Sequence, residues 1–188
     1  MVQTPVYLVC AEINAGKKWM REFAAEKERS KVADLPIITD VRADWLDQEQ
    51  VDLLVRMKTH EVIAALESPN PTVLGFMDRK MDPLKFVKGY KMLKEAGVKV
   101  MCPVMFGVHP AEDPDEYHSF CAKHDIIPNP GLMKIYENTG MWKLAKEGSI
   151  EVELYAEFPQ PAEPAVVRKP VAESLKKLQK FKDLMGVK

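Results

Sequence analysis

The chain has 188 residues, 46% of them hydrophobic, which is enough to bury the core of one domain with an appendage. Its 27 basic and 28 acidic residues leave a net charge of −1, without the basic excess of a general nucleic-acid binder. No apolar run approaches the ~20 residues that span a bilayer, and MVQTPVYLVC lacks the charged and apolar regions of a secretory leader.

The expected elements alternate. PVYLVC (5–10) reads as a short strand, and a helix over 17–29 carries Trp19, Met20 and Phe23 on one face. LPIITDV (35–41) is the second strand. Asp47 and Gln50 form a capping-box pattern ahead of the stripe Val51, Leu54 and Val55. EVIAAL (61–66) is the third strand, and Asn70-Pro71 starts a short helix through Met77. Asp82-Pro83 opens a longer helix carrying Phe86, Val87, Tyr90 and Leu93, which Gly97 ends. VKVMCPVMFGV (98–108) is the fourth strand, a helix runs from Asp113 to about His124, and DIIP (125–128) is a fifth strand. Helical material is expected from Leu132 to about Ala145.

Such alternation with short connections calls for a parallel sheet with helices packed outside. The expected fold is α/β: five parallel strands with outer helices, as an open doubly wound sheet or part of a (β/α) barrel, whose complete form takes about 250 residues. Residues 1–157 would form this domain, 158–170 (FPQPAEPAVVRKP) a proline-rich linker, and 171–188 a terminal helix with Leu175, Leu178, Phe181 and Leu184 near helical spacing. That helix could dock in cis or on a partner. Three widely spaced cysteines, Cys10, Cys102 and Cys121, suit reduced thiols in a cytoplasm better than a disulfide framework.

In parallel α/β folds, ligands bind at the carboxyl ends of the strands. Those ends carry Cys10, Glu12 and Asn14; Asp40, Arg42 and Asp44; Glu67 and Ser68; Cys102, His109 and Glu112; and Asn129. A carboxylate beside a hydroxyl at Glu67-Ser68 suits a sugar diol, Arg42 offers a fork for a carboxylate or phosphate, and Glu12 could accept from an amine. A plainer reading has Glu67-Ser68 cap the helix near Asn70 and Arg42 pair with Asp40 or Asp44. His118, Cys121 and His124 fall on one side of a helix, a metal-binding alternative without a standard zinc spacing. The nucleotide and hydrolase fingerprints GxGxxG, GxxxxGK[ST] and GxSxG are missing.

Arg42 and Asp44, Leu46-Asp47, Leu66-Glu67-Ser68, Met77-Asp78-Arg79, Leu93-Lys94-Glu95-Ala96-Gly97, Phe106-Gly107 and IIPNPGLMKIYENTGM (126–141) occur in an order that resembles the radical S-adenosylmethionine (SAM) enzymes, of the type associated with cobalamin-binding domains. The resemblance covers about residues 6–145. It implies a partial or full (β/α) barrel that binds SAM against a [4Fe–4S] cluster and cleaves it reductively to a 5′-deoxyadenosyl radical. It also implies that Glu67 and Ser68 contact the SAM ribose, that Arg42 lies near the SAM carboxylate, and that Glu12 lies near the methionine amine. The cluster motif C-x-x-x-C-x-x-C is absent, because the family carries it after its first strand and this chain resembles it from the second. The glycine before the E-S pair is replaced at Ala65-Leu66, and the P-G-E-T turn becomes G-V-H-P-A-E-D.

Two functions follow from the resemblance. In one, a cluster-bearing partner subunit completes the site, and this chain supplies the SAM-facing rim without binding a [4Fe–4S] cluster alone. In the other, the chain is a non-catalytic subunit for assembly, as a homo-oligomer or with another protein, or for small-molecule binding. A metal-dependent enzyme using His109, His118, Cys121 and His124 is the third reading. No nucleic-acid or membrane partner is expected.

Overall fold

The computed structural model describes residues 4–133, 143, 147 and 171–186. The strands are β1 (Val6–Leu8), β2 (Ile37–Asp40), β3 (Thr59–Ile63), β4 (Lys99–Phe106) and β5 (Pro128–Leu132). The helices are α1 (Lys17–Arg29), α2 (Gln48–Arg56), α3 (Pro71–Phe76), α4 (Pro83–Glu95), α5 (Pro114–His124) and α6 (Val171–Met185). Two 3-10 turns, Ile13–Ala15 and Ala43–Trp45, follow β1 and β2.

The five strands form one sheet in the order β1-β2-β3-β4-β5, with parallel pairing. Strand order equal to chain order decides between the two expected architectures. A doubly wound sheet reverses its order at a switch point, whereas successive right-handed crossovers in one direction build a segment of a (β/α) barrel, with every helix on the same face. Burial follows this rule. Thr39, Val62, Ala64, Cys102, Val104 and Phe106 are buried on the helix-covered face, while Ile38, Asp40, Glu61, Ile63 and Met101 alternate with them and are more exposed.

The residues fall into two compact units, of which the first takes in residues 4–67, 81–103 and 123–129. Its core is the apolar stripes of three helices: Met20 and Ala24 of α1, Val51 and Leu54 of α2, and Phe86, Tyr90 and Leu93 of α4. The helix starts are those that the sequence marks. The Asp47 carboxylate accepts from Gln50 N at 3.0 Å, and the Gln50 side chain accepts from Asp47 N at 3.1 Å, a complete capping box. Asp82 caps α4 by accepting from Leu84 N at 2.9 Å.

The second unit takes in the described residues 68–80, 104–122, 130–133 and 171–186. Its core is aromatic: Phe181 of α6 lies 5.3 Å from Phe106 of β4 and 6.2 Å from Tyr117 of α5, between ring centroids. Lys180 of α6 pairs with Asp115, and Lys177 Nζ donates to Pro110 O at 3.0 Å. The terminal helix therefore docks in cis.

The fifth strand corrects its expected bounds. It starts at Pro128 rather than ending there, and it includes Pro130, Gly131 and Leu132. Prolines argue against a strand because they cannot donate to a ladder, but β5 is the last strand in the sheet, where that loss costs little. Asn129 accordingly lies exposed within the strand and not past its end. Leu132, expected to begin a helix, ends this strand, and the proline-rich stretch 158–170 lies outside the described residues.

Candidate functional site

In the first unit, the loops after β1 and β2 are stitched together by one buried amide. Asn14 Nδ2 donates to Arg42 O at 2.8 Å, and Arg42 N donates to Asn14 Oδ1 at 2.9 Å. Gln50 Nε2 donates to Asn14 O at 2.9 Å, tying the same loop to α2. The Arg42 backbone is therefore fixed before its side chain does anything.

That side chain makes a bidentate fork. Its Nε donates to Asp44 Oδ1 at 2.8 Å and its Nη2 to Asp44 Oδ2 at 2.7 Å. The two side chains are only 9% and 5% exposed, so the pair is shielded from water. Arg42 Cζ also stands 4.4 Å from the centroid of the Trp45 ring, a cation–π contact. Nη1 lies 3.9 Å from Glu12 Oε1, and the Glu12 side chain is 25% exposed. Of the two carboxylates that the sequence places near Arg42, Asp40 and Asp44, the fork goes to Asp44. Asp40 instead accepts from the Tyr7 hydroxyl, and this bond pushes the Tyr7 pKa up to about 12.

Glu67 follows the hydrogen-bonded extension of β3, with its N–H donating to Pro103 O at 3.0 Å. Its φ is +59°, in the left-handed region, which costs a side-chain-bearing residue roughly 1–2 kcal/mol. Lys58, Asp78 and Asp125 share this sign, but each follows the end of a helix, where such a conformation is routine. Among the described residues Glu67 is the non-glycine that no helix end explains. Backbone strain of this kind clusters at functional sites, which makes Glu67 a candidate.

In the second unit, Ser68 is wholly buried. Its hydroxyl accepts from Asn70 N at 3.0 Å and lies 2.6 Å from the Tyr117 hydroxyl. Asn70 caps α3, accepting from Thr72 N at 2.9 Å. The structure thus gives Ser68 a definite role in the turn into α3. Burial raises the Tyr117 pKa, and its bond to Ser68 opposes that rise.

Glu112 is also buried, and its carboxylate accepts from Gly107 N at 2.8 Å, Val108 N at 2.6 Å and His109 N at 2.8 Å. Three successive backbone donors form an anion nest that the chain fills with its own carboxylate. His109 Nδ1 accepts from Ala111 N at 3.1 Å and its ring rests against Phe76. The longer G-V-H-P-A-E-D turn is therefore a self-closed loop.

The cysteines do not fit an iron–sulfur cluster. Cys10 shares a 3.3 Å contact with Thr39 Oγ1, Cys102 is buried in β4, and Cys121 is buried in α5. Burial pushes the Cys121 thiol up to about 12, away from the thiolate that a metal needs. Among the described residues no group of three His, Cys, Asp or Glu side chains is arranged to hold a metal, so the His118, Cys121 and His124 reading gains no support. No described helix is long and apolar enough to cross a membrane.

This sheet order and helix placement give the chain the fold of the radical SAM enzymes. It is similar to the radical SAM methyltransferase TsrM of Kitasatospora setae, with cobalamin and a [4Fe–4S] cluster bound, at 17% identity and a TM-score of 0.63, over 93% of this chain and 37% of that one. It is similar also to the radical SAM enzyme coproporphyrinogen III oxidase of Escherichia coli, at 16% identity and a TM-score of 0.60, over 91% of this chain and 37% of the other. A domain of pyruvate-formate lyase-activating enzyme from Bacteroides vulgatus shares 15% identity and a TM-score of 0.56, over 98% and 96% of the two chains. This chain spans a little over a third of the first two proteins. No protein-family model and no curated protein matches it.

Proposed function

We propose that this chain is a radical-SAM-like domain that binds SAM through Glu12, Arg42 and Glu67, and that a cluster-bearing partner polypeptide completes the site. The observation that carries this reading is the preset Arg42 guanidinium beside the partly exposed Glu12 carboxylate, at the carboxyl ends of the first two strands of this fold. Glu12 offers an acceptor to an ammonium, and the Arg42 guanidinium is the cation that would attract the same ligand's carboxylate. Glu67 offers a charged acceptor to a ribose diol. Ser68, next in the chain, anchors the turn into α3 through Asn70 and Tyr117.

Were a partner's reduced cluster bound nearby, SAM would supply radical chemistry, and Glu12, Arg42 and Glu67 would bind and orient it. Cysteines scattered over the loop after β1, β4 and α5, with two of them buried, support the dependence on a partner. They equally favour the second reading, a non-catalytic subunit acting in assembly or small-molecule binding, and the self-filled loop at Glu112 adds to that side.

SAM binding to the anaerobically assembled protein separates the two. Glu67→Gln keeps size and removes the charge-assisted bond, so it should weaken SAM by about 1–3 kcal/mol in a calorimetric titration. Unchanged affinity would remove Glu67 from the site.

A further inference from the structure

Glycine inside a helix costs about 0.5–1 kcal/mol relative to alanine, yet α4 carries Gly89 in its middle. A Cβ at this position would stand 2.0 Å from the Ala43 carbonyl oxygen and 2.8 Å from its carbon. Both are backbone atoms, which no change of rotamer can move aside. Ala43 opens the 3-10 turn that carries Asp44 and Trp45, directly after Arg42. Helix α4 thus touches the turn through a bare Cα, an approach of the kind that Cα–H to carbonyl contacts stabilise.

We propose that Gly89 is the positioning residue of the Arg42–Asp44–Trp45 cluster. The proposal rests on the SAM reading for its ligand but not for its geometry. Real Cβ atoms essentially never come within 3.0 Å of such an atom, so an added methyl must drive α4 and the turn apart by about 1 Å. The Arg42 backbone is held on its other side by Asn14, so it cannot follow freely. The displacement therefore falls on Asp44 and Trp45, and it alters the fork and the 4.4 Å cation–π contact together.

The test uses the full chain with Trp19→Phe and Trp142→Phe, which leaves Trp45 as the single indole. In this background Gly89→Ala should shift the Trp45 emission maximum and its quenching by acrylamide while the far-UV spectrum and a cooperative melt persist. Gly75→Ala is the control: a Cβ there meets nothing within 4 Å, and Trp45 should not respond. SAM affinity of the assembled protein should fall roughly tenfold with Gly89→Ala and stay level with Gly75→Ala. A Trp45 signal in Gly89→Ala identical to the parent overturns the proposal. A shifted signal with undiminished SAM affinity upholds the positioning role and counts against the SAM reading instead. If Gly89→Ala does not fold, proton NMR of the unsubstituted chain decides. Two inequivalent Gly89 Hα protons, one shifted downfield by the facing carbonyl, support the contact, and equivalent protons overturn it.

Discussion

Arg42 and Asp44 share two hydrogen bonds almost out of reach of water, so the pair depends on both members being present. Removing Asp44 takes away the bidentate partner of Arg42 and leaves the more distant Glu12 at 3.9 Å, and breaking such a buried pair typically costs about 3–5 kcal/mol. Asp44→Ala should lower stability by that order in urea denaturation, with the slope unchanged. A cost below 1 kcal/mol would show that water reaches the fork. At this scale the sequence is partly informative. It singles out Arg42, Glu12, Glu67 and Ser68, because charged and hydroxyl groups at strand ends are visible in one dimension. It cannot choose between Asp40 and Asp44 as the partner of Arg42, because the Tyr7 hydroxyl that engages Asp40 comes from another strand. It gives no hint of Gly89, whose contact with Ala43 joins positions 46 residues apart.

At the scale of elements, local chemistry is the most legible. Asp47, Asn70 and Asp82 cap the helices that their spacing announces. Asp47→Ala should cost about 1 kcal/mol, the usual worth of an N-cap, in a thermal melt that keeps its cooperativity. The Lys17 ammonium and the Gln50 N–H hold the Asp47 carboxyl below its ordinary 3.8. A depressed folded-state pKa contributes stability that is fully present above the unfolded value and is lost as pH falls through the folded one. The difference between parent and Asp47→Ala should therefore persist at neutral pH and shrink below about pH 4. Helix α6 depends on tertiary packing instead. Phe181 is wholly buried against Phe106 and Tyr117, and Phe181→Ala should cost about 3–5 kcal/mol. Hydrogen exchange should then accelerate across 171–186 before it does in α1 or α2. The strand that sequence misplaces, β5, is one whose prolines are tolerated only because of where it lies in the sheet.

At the scale of the whole molecule, the alternation of strands and helices predicts a parallel α/β fold, and the order of motifs resembles part of a radical-SAM barrel. The strand order confirms that fold. What one dimension does not supply is the burial of the cysteines: Cys102 in β4 and Cys121 in α5 are buried, while Cys10, in the loop after β1, is partly exposed. The proposal that a cluster-bearing polypeptide completes the SAM site belongs to this scale. The direct measurement is anaerobic isolation of the tagged chain from its native lysate, with mass spectrometry and an iron assay. The account predicts a stoichiometric partner carrying a cysteine triad, with about four irons per complex. An iron-free chain without that partner, unable to bind SAM, would contradict it.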